Sequence, residues 1–271
     1  MIQEFLLSAL REDWGRGDLF SRVAQDLEIK AEIVAKSEGI FSGEVYLKTL
    51  CEISALNLEF CKKDAQDFQN REVLAKISGS YIQMLKIERI ALNILQHSSG
   101  IATHTRRFVQ EVGDLPIRLL DTRKTRPLLR ELEKYSVRNG GASNHRFGLD
   151  DALMLKDTHL AGIEDLKTFI TKARKSLPFT CRIEVECESL EMCQKAFQSG
   201  ADIVMCDNMS PSEVAEVVRL RNAHYPHILL EASGNLELKN LKEYALSGVD
   251  ALSSGSLIHQ ATWLDMSMRV L

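Results

Sequence analysis

No stretch of the 271 residues approaches the roughly 18 consecutive apolar residues of a membrane-crossing helix. There is no CxxC pair, no cysteine with a histidine at zinc-ligand spacing, and no GxGxxG motif. A zinc site and the usual dinucleotide-binding turn therefore have no basis in the sequence. With 5 prolines and 15 glycines, low-complexity linkers and collagen-like repeats are excluded as well. Positive charge is not in excess, because 34 Lys and Arg stand against 38 Asp and Glu for a net charge of −4. Nucleic acid and anionic membranes thus have no global electrostatic hold on the chain, and any anion site must be local. The N-terminus lacks the basic start and continuous apolar core of a signal peptide, since Glu4, Arg11, Glu12 and Asp13 surround a short apolar stripe. These features predict a soluble, cytoplasmic protein whose six cysteines are reduced and mostly buried.

With 45% hydrophobic and 27% charged residues, the chain has enough apolar material for one large domain or two modest ones. Residues 1 to about 105 read as α+β. Gln3–Arg11 is amphipathic, Ala31–Lys36 and Ser78–Met84 read as strands, and Leu85–His97 reads as an apolar helix carrying Arg89. From Ile117 short apolar runs recur: Ile117–Leu120, Leu153–Leu155, Ile183–Cys187, Ile203–Cys206, Ile228–Leu230 and Val249–Leu252. Between most of them lie amphipathic segments, Leu160–Ser176, Leu190–Ser199, Pro211–Asn222 and Leu236–Ser247. This alternation predicts βαβ units and a parallel sheet. A doubly wound sheet would be expected to carry the missing glycine fingerprint, so a barrel is favoured. In a barrel the chemistry sits at the C-terminal ends of the strands.

Those ends are charged. Asp121, Thr122, Arg123, Lys124, Thr125 and Arg126 follow the first run, and Lys156, Asp157, Thr158 and His159 follow the second, preceded by Asn144, His145 and Arg146. Arg130, Lys134 and Arg138, four apart, read as a solvated helical face. Arg123, Lys124, Arg146 and Lys156 instead flank apolar strands, and such convergence suits a small, multiply charged anion. In Ile183–Glu188 the alternation turns Glu184, Glu186 and Glu188 toward the barrel axis, where carboxylates need cations or metal; an edge strand with its glutamates in water is the bland alternative. Asp207–Asn208 adds another acid, although such a pair also caps helices. The last two strands end in Ser233, Gly234, Asn235 and in Ser253, Ser254, Gly255, Ser256, a pattern that fits a phosphate cup. A Schiff-base lyase using Lys156, or an RNA-binding module using the TRKTR stretch, are the other chemistries to weigh.

In order along the chain, ERIALNILQHSSGIAT, DTRKTRP, GGASNHR, LMLKDTH, IEVEC, CDN, EASGN and SSGSL follow the succession seen in the quinolinate phosphoribosyltransferase family. REDWGRGD and KSEGIFSGE resemble that family's N-terminal blocks, so the likeness runs over nearly the whole chain. The resemblance implies an α/β protein with an N-terminal open-faced α/β sandwich over residues 1–105 and an incomplete, seven-stranded type of α/β barrel over 106–259. The tail, 260–271, is then expected to return to the first domain. The implied reaction is that of a glycosyltransferase of NAD biosynthesis, in which quinolinate and phosphoribosyl pyrophosphate give nicotinate mononucleotide, pyrophosphate and CO2. A relative using the same barrel on nicotinate is the alternative.

The resemblance also assigns residues. Arg89, Arg123 and Arg146 would hold the two carboxylates of quinolinate, helped by Lys124, His145 and Lys156. Glu186 and Asp207, with Lys124 and Lys156, would be the catalytic set, and Mg2+ carried by phosphoribosyl pyrophosphate would lie near the two acids. Ser233, Gly234, Ser254 and Gly255 would cradle the 5′-phosphate. The family's dimers share their sites, so a homodimer, alone or within a larger assembly, is implied. The chain departs from the family pattern at Arg126, at Asn235 and in the last serine-rich loop.

Overall fold

The computed structural model describes residues 2–271. From the N-terminus the chain forms α1 (Ile2–Trp14), β1 (Glu28–Ala35), β2 (Gly39–Ile40), α2 (Glu44–Ile53), β3 (Asn57–Phe60), β4 (Asp67–Phe68), β5 (Val73–Ser80) and the long α3 (Tyr81–Val112). Alternation follows: β6 (Arg118–Leu120), α4 (Arg130–Asn139), β7 (Leu153–Leu155), α5 (Asp157–Leu160), α6 (Leu166–Ser176), β8 (Ile183–Cys187), α7 (Leu190–Ser199) and β9 (Ile203–Asp207). The chain ends with α8 (Pro211–His224), β10 (Leu229–Ser233), α9 (Leu241–Ala245), β11 (Ala251–Ser253), α10 (Ser256–His259) and β12 (Met266–Val270). These elements form two compact units. One is built from residues up to Arg106 with Glu131–Gly141 and Ala261–Leu271; the other comprises Arg107–Arg130 and Ala142–Gln260. The segment 106–259 is therefore interrupted by the body of α4, which groups with the first unit.

In the first unit β12, β1, β5 and β3 form an antiparallel sheet in that order, so the C-terminal tail supplies an edge strand. Alternation along β1 buries Ala31, Ile33 and Ala35 while Lys30, Glu32 and Val34 stay partly exposed. The buried face joins Leu6, Tyr46, Leu50, Leu74, Ile77 and Ile87 in one core. The expected strand Ser78–Met84 is displaced: β5 stops at Ser80 and α3 begins at Tyr81. Two side chains supply the reason. Ser80 Oγ accepts the Gln83 N–H (3.1 Å) and Asp26, far away in sequence, accepts the Ile82 N–H (3.1 Å), which caps the helix there. Gly100 inside α3 is required, since a Cβ would collide with the Thr262 carbonyl. Lys134 corrects the expectation of a solvated face, because it is fully buried, as is its neighbour Glu133.

The second unit is a six-stranded parallel sheet in the order β6, β11, β10, β9, β8, β7. Consecutive strands pair from β7 to β11, and β11 then pairs with β6. β6 and β7 remain the two edges, and a single parallel bridge from Leu120 to Ser143 adds a reduced seventh stave beside β6. This is an incomplete α/β barrel. Val185, Cys187, Val204 and Cys206 turn outward beneath α7, which leaves Glu184, Glu186, Met205 and Asp207 on the other face. Helix α7 starts at Ser189, whose side chain accepts the Met192 N–H, and ends at Gly200 in a left-handed conformation (φ 84°). Within the amphipathic stretch Leu160–Ser176 only Leu166–Ser176 is the expected helix: Leu160 ends α5, and Asp165 caps the start of α6. Leu236–Ser247 contains only the short α9: Asn240 accepts the Glu237 N–H (2.8 Å) and donates to the Asn235 carbonyl (3.0 Å), which holds the preceding residues in a turn.

Candidate functional site

A cavity of about 630 Å³ opens at the C-terminal ends of the parallel strands. Every strand end of the second unit contributes to it: Arg123 and Lys124 after β6, Lys156 after β7, Glu186 on β8, Asp207 on β9, Ser233 and Gly234 at β10, Ser254 and Gly255 after β11. His145 and Arg146, from the segment that bridges to β6, line it as well. The structure thus brings together the substrate-binding residues expected at the barrel mouth, but Glu188, expected on the inner face, lies past the end of β8, is exposed and does not line the cavity. Arg89 is different: it is an exposed residue of α3 in the first unit and is not among the lining residues. Sequence reasoning missed Met154, Met205, Glu237 and His259, which also line the cavity. His259 had a signal to find it, since it lies one helical turn beyond Gly255 on α10.

The cationic wall is incompletely paired. Arg123 Nε is buried without a hydrogen-bond partner. Arg146 donates from Nη1 to the Ala152 carbonyl (3.0 Å), and burial, then the nearby Arg123 charge, hold its pKa below the ordinary arginine value. Two guanidiniums lining one part-buried cavity create a demand for an anion. Lys156, by contrast, is bound through Nζ to Glu186 Oε2. A lone, desolvated amine, which Schiff-base chemistry requires, is not what this lysine is.

The acidic side is built on neighbouring strands, with Glu186 and Asp207 both half-buried. Asn208 donates from Nδ2 to Asp207 Oδ2 (2.7 Å) and accepts from Asn235 Nδ2 (3.0 Å). This triplet needs unusual backbone: Asn208, Gly234 and Asn235 have φ of 56°, 87° and 50°. Asn235 takes the left-handed turn because asparagine tolerates it better than most residues. Gly234 is a stricter case, since a Cβ would strike the Asn208 side chain. Gly255 is likewise close-packed, with a Cβ meeting Lys124 Cδ at 2.8 Å. At both positions the missing Cβ leaves room for a neighbouring side chain, Asn208 or Lys124.

Beneath the cationic wall lies a buried group of three. His145 Nε2 sits 3.4 Å from Glu184 Oε2 and 3.3 Å from Glu231 Oε2, and both carboxylates are almost completely buried. Burial raises the Glu184 pKa. For His145 burial works against a charged ring, while the hydrogen bonds and charges of Glu184 and Glu231 favour one. The Arg146 backbone N–H opposes that second proton by donating to His145 Nδ1 at 2.6 Å. An amide can only donate, so in this conformation Nδ1 accepts and the ring proton sits on Nε2, facing the carboxylates. His145 therefore reaches the cavity wall with both nitrogens engaged by the protein.

Comparison with known proteins agrees over the full length. The family profiles for the quinolinate phosphoribosyl transferase N-terminal and C-terminal domains match residues 18–99 and 101–269. A protein of Synechocystis sp. described as a probable nicotinate-nucleotide pyrophosphorylase [carboxylating] is 40% identical, covering 100% of this chain and 92% of its own. Its counterpart of the same description from Bacillus subtilis is 42% identical over 96% of this chain and 90% of its own. Among solved structures, NadC from Streptococcus pyogenes superposes with a TM-score of 0.92 at 37% identity, covering 100% of this chain and 96% of that one. With both domain profiles matched in order and full-length relatives at this level of identity, the chain belongs to the quinolinate phosphoribosyl transferase family.

Proposed function

We propose that this protein transfers the phosphoribosyl group of phosphoribosyl pyrophosphate to quinolinate and releases CO2, yielding nicotinate mononucleotide and pyrophosphate. The observation that carries the reading is that Arg123 and Arg146 line one part-buried cavity, with Arg123 Nε buried and unpartnered. Adjacent carboxylates on one small ring satisfy both. Nicotinate has one carboxylate and would leave a buried guanidinium without its counter-charge.

The remaining residues then take their roles from position. Lys124 and Lys156 flank the dicarboxylate and the departing pyrophosphate. The pyridine nitrogen attacks the ribose C1 as pyrophosphate leaves, positive charge grows on the sugar, and the Glu186 and Asp207 carboxylates are placed to stabilise it. Ser233, Gly234, Ser254 and Gly255 hold the 5′-phosphate. Once the ring nitrogen is quaternary it withdraws electrons from the adjacent carbon, and the 2-carboxylate departs as CO2. Glu186 and Asp207 offer hard oxygen donors on adjacent strands, which fits Mg2+. The ion would arrive with phosphoribosyl pyrophosphate and neutralise charge on the leaving pyrophosphate.

The reading extends to a homodimer in which Arg89 completes the partner's site, and to a cytoplasmic location. Among the described residues no helix is long and apolar enough to cross a membrane.

The direct test is an assay of quinolinate against nicotinate, each with phosphoribosyl pyrophosphate and magnesium, following nucleotide and CO2. Nucleotide and CO2 are expected in equal amounts from quinolinate, and no CO2 from quinolinate alone. Comparable release without phosphoribosyl pyrophosphate would sink the order of steps, and preferred turnover of nicotinate would sink the substrate. Arg123→Ala or Arg146→Ala is expected to weaken quinolinate binding by about 1.5–3 kcal/mol, the range for a charge-assisted hydrogen bond. Calorimetric titration measures this, and an unchanged isotherm for both variants would remove them from the site.

A further inference from the structure

The segment that carries His145 and Arg146 has little regular structure of its own: its link to the sheet is the single bridge at Ser143. Buried acids from three different strands hold it instead. Asp121, just past β6 and fully buried, accepts the His145 backbone N–H on Oδ1 (2.9 Å) and the Asn144 side-chain amide on Oδ2 (2.5 Å). Glu184 on β8 and Glu231 on β10 converge on the His145 ring from beneath, at 3.4 and 3.3 Å from Nε2. Both are at least 98% buried, with exposures of 1% and 2%. Glu184 Oε1 and Oε2 and Glu231 Oε1 have no hydrogen-bond partner. Two carboxylates in such a place are costly unless they are used, and what they face is the ring.

By residue type, one histidine and two glutamates are a metal-ligand set. The proton argues otherwise. The Arg146 N–H occupies the Nδ1 lone pair, so Nε2 bears the hydrogen, and a protonated nitrogen does not ligate. Nε2–H facing the Glu184 and Glu231 carboxylates is the arrangement that fits the atoms as they stand, and it locks the ring plane on which the Arg146 amide rests.

We propose that Glu184 and Glu231 are positioning residues for the pyridine dicarboxylate: acting through the His145 ring, they set the placement of the Arg146 guanidinium at the base-binding side of the cavity. This rests on the reading that quinolinate binds at Arg123 and Arg146. Glu231 is the residue to test, since Glu184 sits two positions from Glu186 on the same strand. Glu231 stands on β10 two positions before Ser233, so KM is read for both substrates, and a positioning role through His145 predicts a change for quinolinate alone.

The experiment compares Glu231→Ala, Glu231→Gln and His145→Ala in the full chain, with each substrate varied in turn and with 15N-histidine spectra of the free protein. Glu231→Ala is expected to raise KM for quinolinate about tenfold or more while KM for phosphoribosyl pyrophosphate stays within about twofold. Glu231→Gln keeps an acceptor for Nε2–H and is expected to restore most of the loss. The His145 signals, assigned by their disappearance in His145→Ala, are expected to show a protonated Nε2 and a bare Nδ1 in the wild type and in Glu231→Gln, but not in Glu231→Ala. Unchanged quinolinate KM in folded Glu231→Ala, or both KM values rising together, overturns the proposal, and Glu231→Gln decides in the same way should the alanine variant not fold. If His145→Ala raises the quinolinate KM and Glu231→Ala does not, the positioning role alone is lost. If His145→Ala itself leaves that KM unchanged, the substrate placement fails and the positioning role with it.

Discussion

Glu186→Gln is expected to fold normally and to lose about 100-fold or more of its turnover. The substitution keeps the shape of the side chain and an acceptor for Lys156 Nζ, with which Glu186 is paired, but it removes the negative charge. Ground-state binding of the dicarboxylate depends on the cations around it and changes little. The transition state is another matter: as the bond from the ribose C1 to pyrophosphate breaks, positive charge develops on the sugar, and in the role proposed for Glu186 a preorganised carboxylate on β8 stabilises it without reorganising. The effect should therefore appear in kcat, with the quinolinate KM nearly unchanged. Steady-state kinetics beside a thermal unfolding curve make the measurement. Near-normal turnover in a well-folded variant would refute an electrostatic role for Glu186.

Mixing two inactive variants is expected to restore activity. Arg89 belongs to α3 in the first unit and is absent from the wall of its own barrel's cavity, while Lys156 is part of that wall. If each site takes Arg89 from the partner subunit, then Arg89→Ala and Lys156→Ala homodimers are both dead. A heterodimer has one site with both defects and one with neither. Random exchange makes about half of all dimers heterodimeric, so recovery should approach about one quarter of wild-type activity. The assay is activity after subunit exchange, with exchange itself followed by differently labelled subunits. Absence of recovery despite demonstrated exchange would mean that Arg89 acts within its own chain or is structural.

The barrel mouth was largely legible before the fold was known. A parallel strand covered on both faces reads as a short apolar run, so the charged or small residues just beyond each run mark the functional rim; Arg123, Lys156, Asp207, Ser233 and Gly255 were found this way. Strand alternation likewise assigned Glu184 and Glu186 to the inner face; it also assigned Glu188, which lies one residue past the end of β8 and is exposed. Elements whose limits depend on distant partners were not legible. The strand expected at Ser78–Met84 was displaced by a cap from Asp26, and the helix expected at Leu236–Ser247 was shortened by the turn around Asn240.

Lys134 shows the same limit in charge. Its spacing from Arg130 and Arg138 is that of a solvated stripe, yet it is fully buried beside Glu133, whose carboxylate lies 2.9 Å from His97. Periodicity reports which residues share a helix face; it does not report what that face meets.

By itself the sequence determined the alternation of strands and helices, the kind of residue at each strand end and the likeness to the family, because these follow from local period and order along the chain. Only the tertiary structure decided that Asp121, Glu184 and Glu231, from three strands, converge on the loop of His145 and Arg146, and that Arg123 and Arg146 line one cavity. Barrel curvature brings those strand ends together. Convergence of that kind is a property of closure in space, to which spacing along the chain carries no signal.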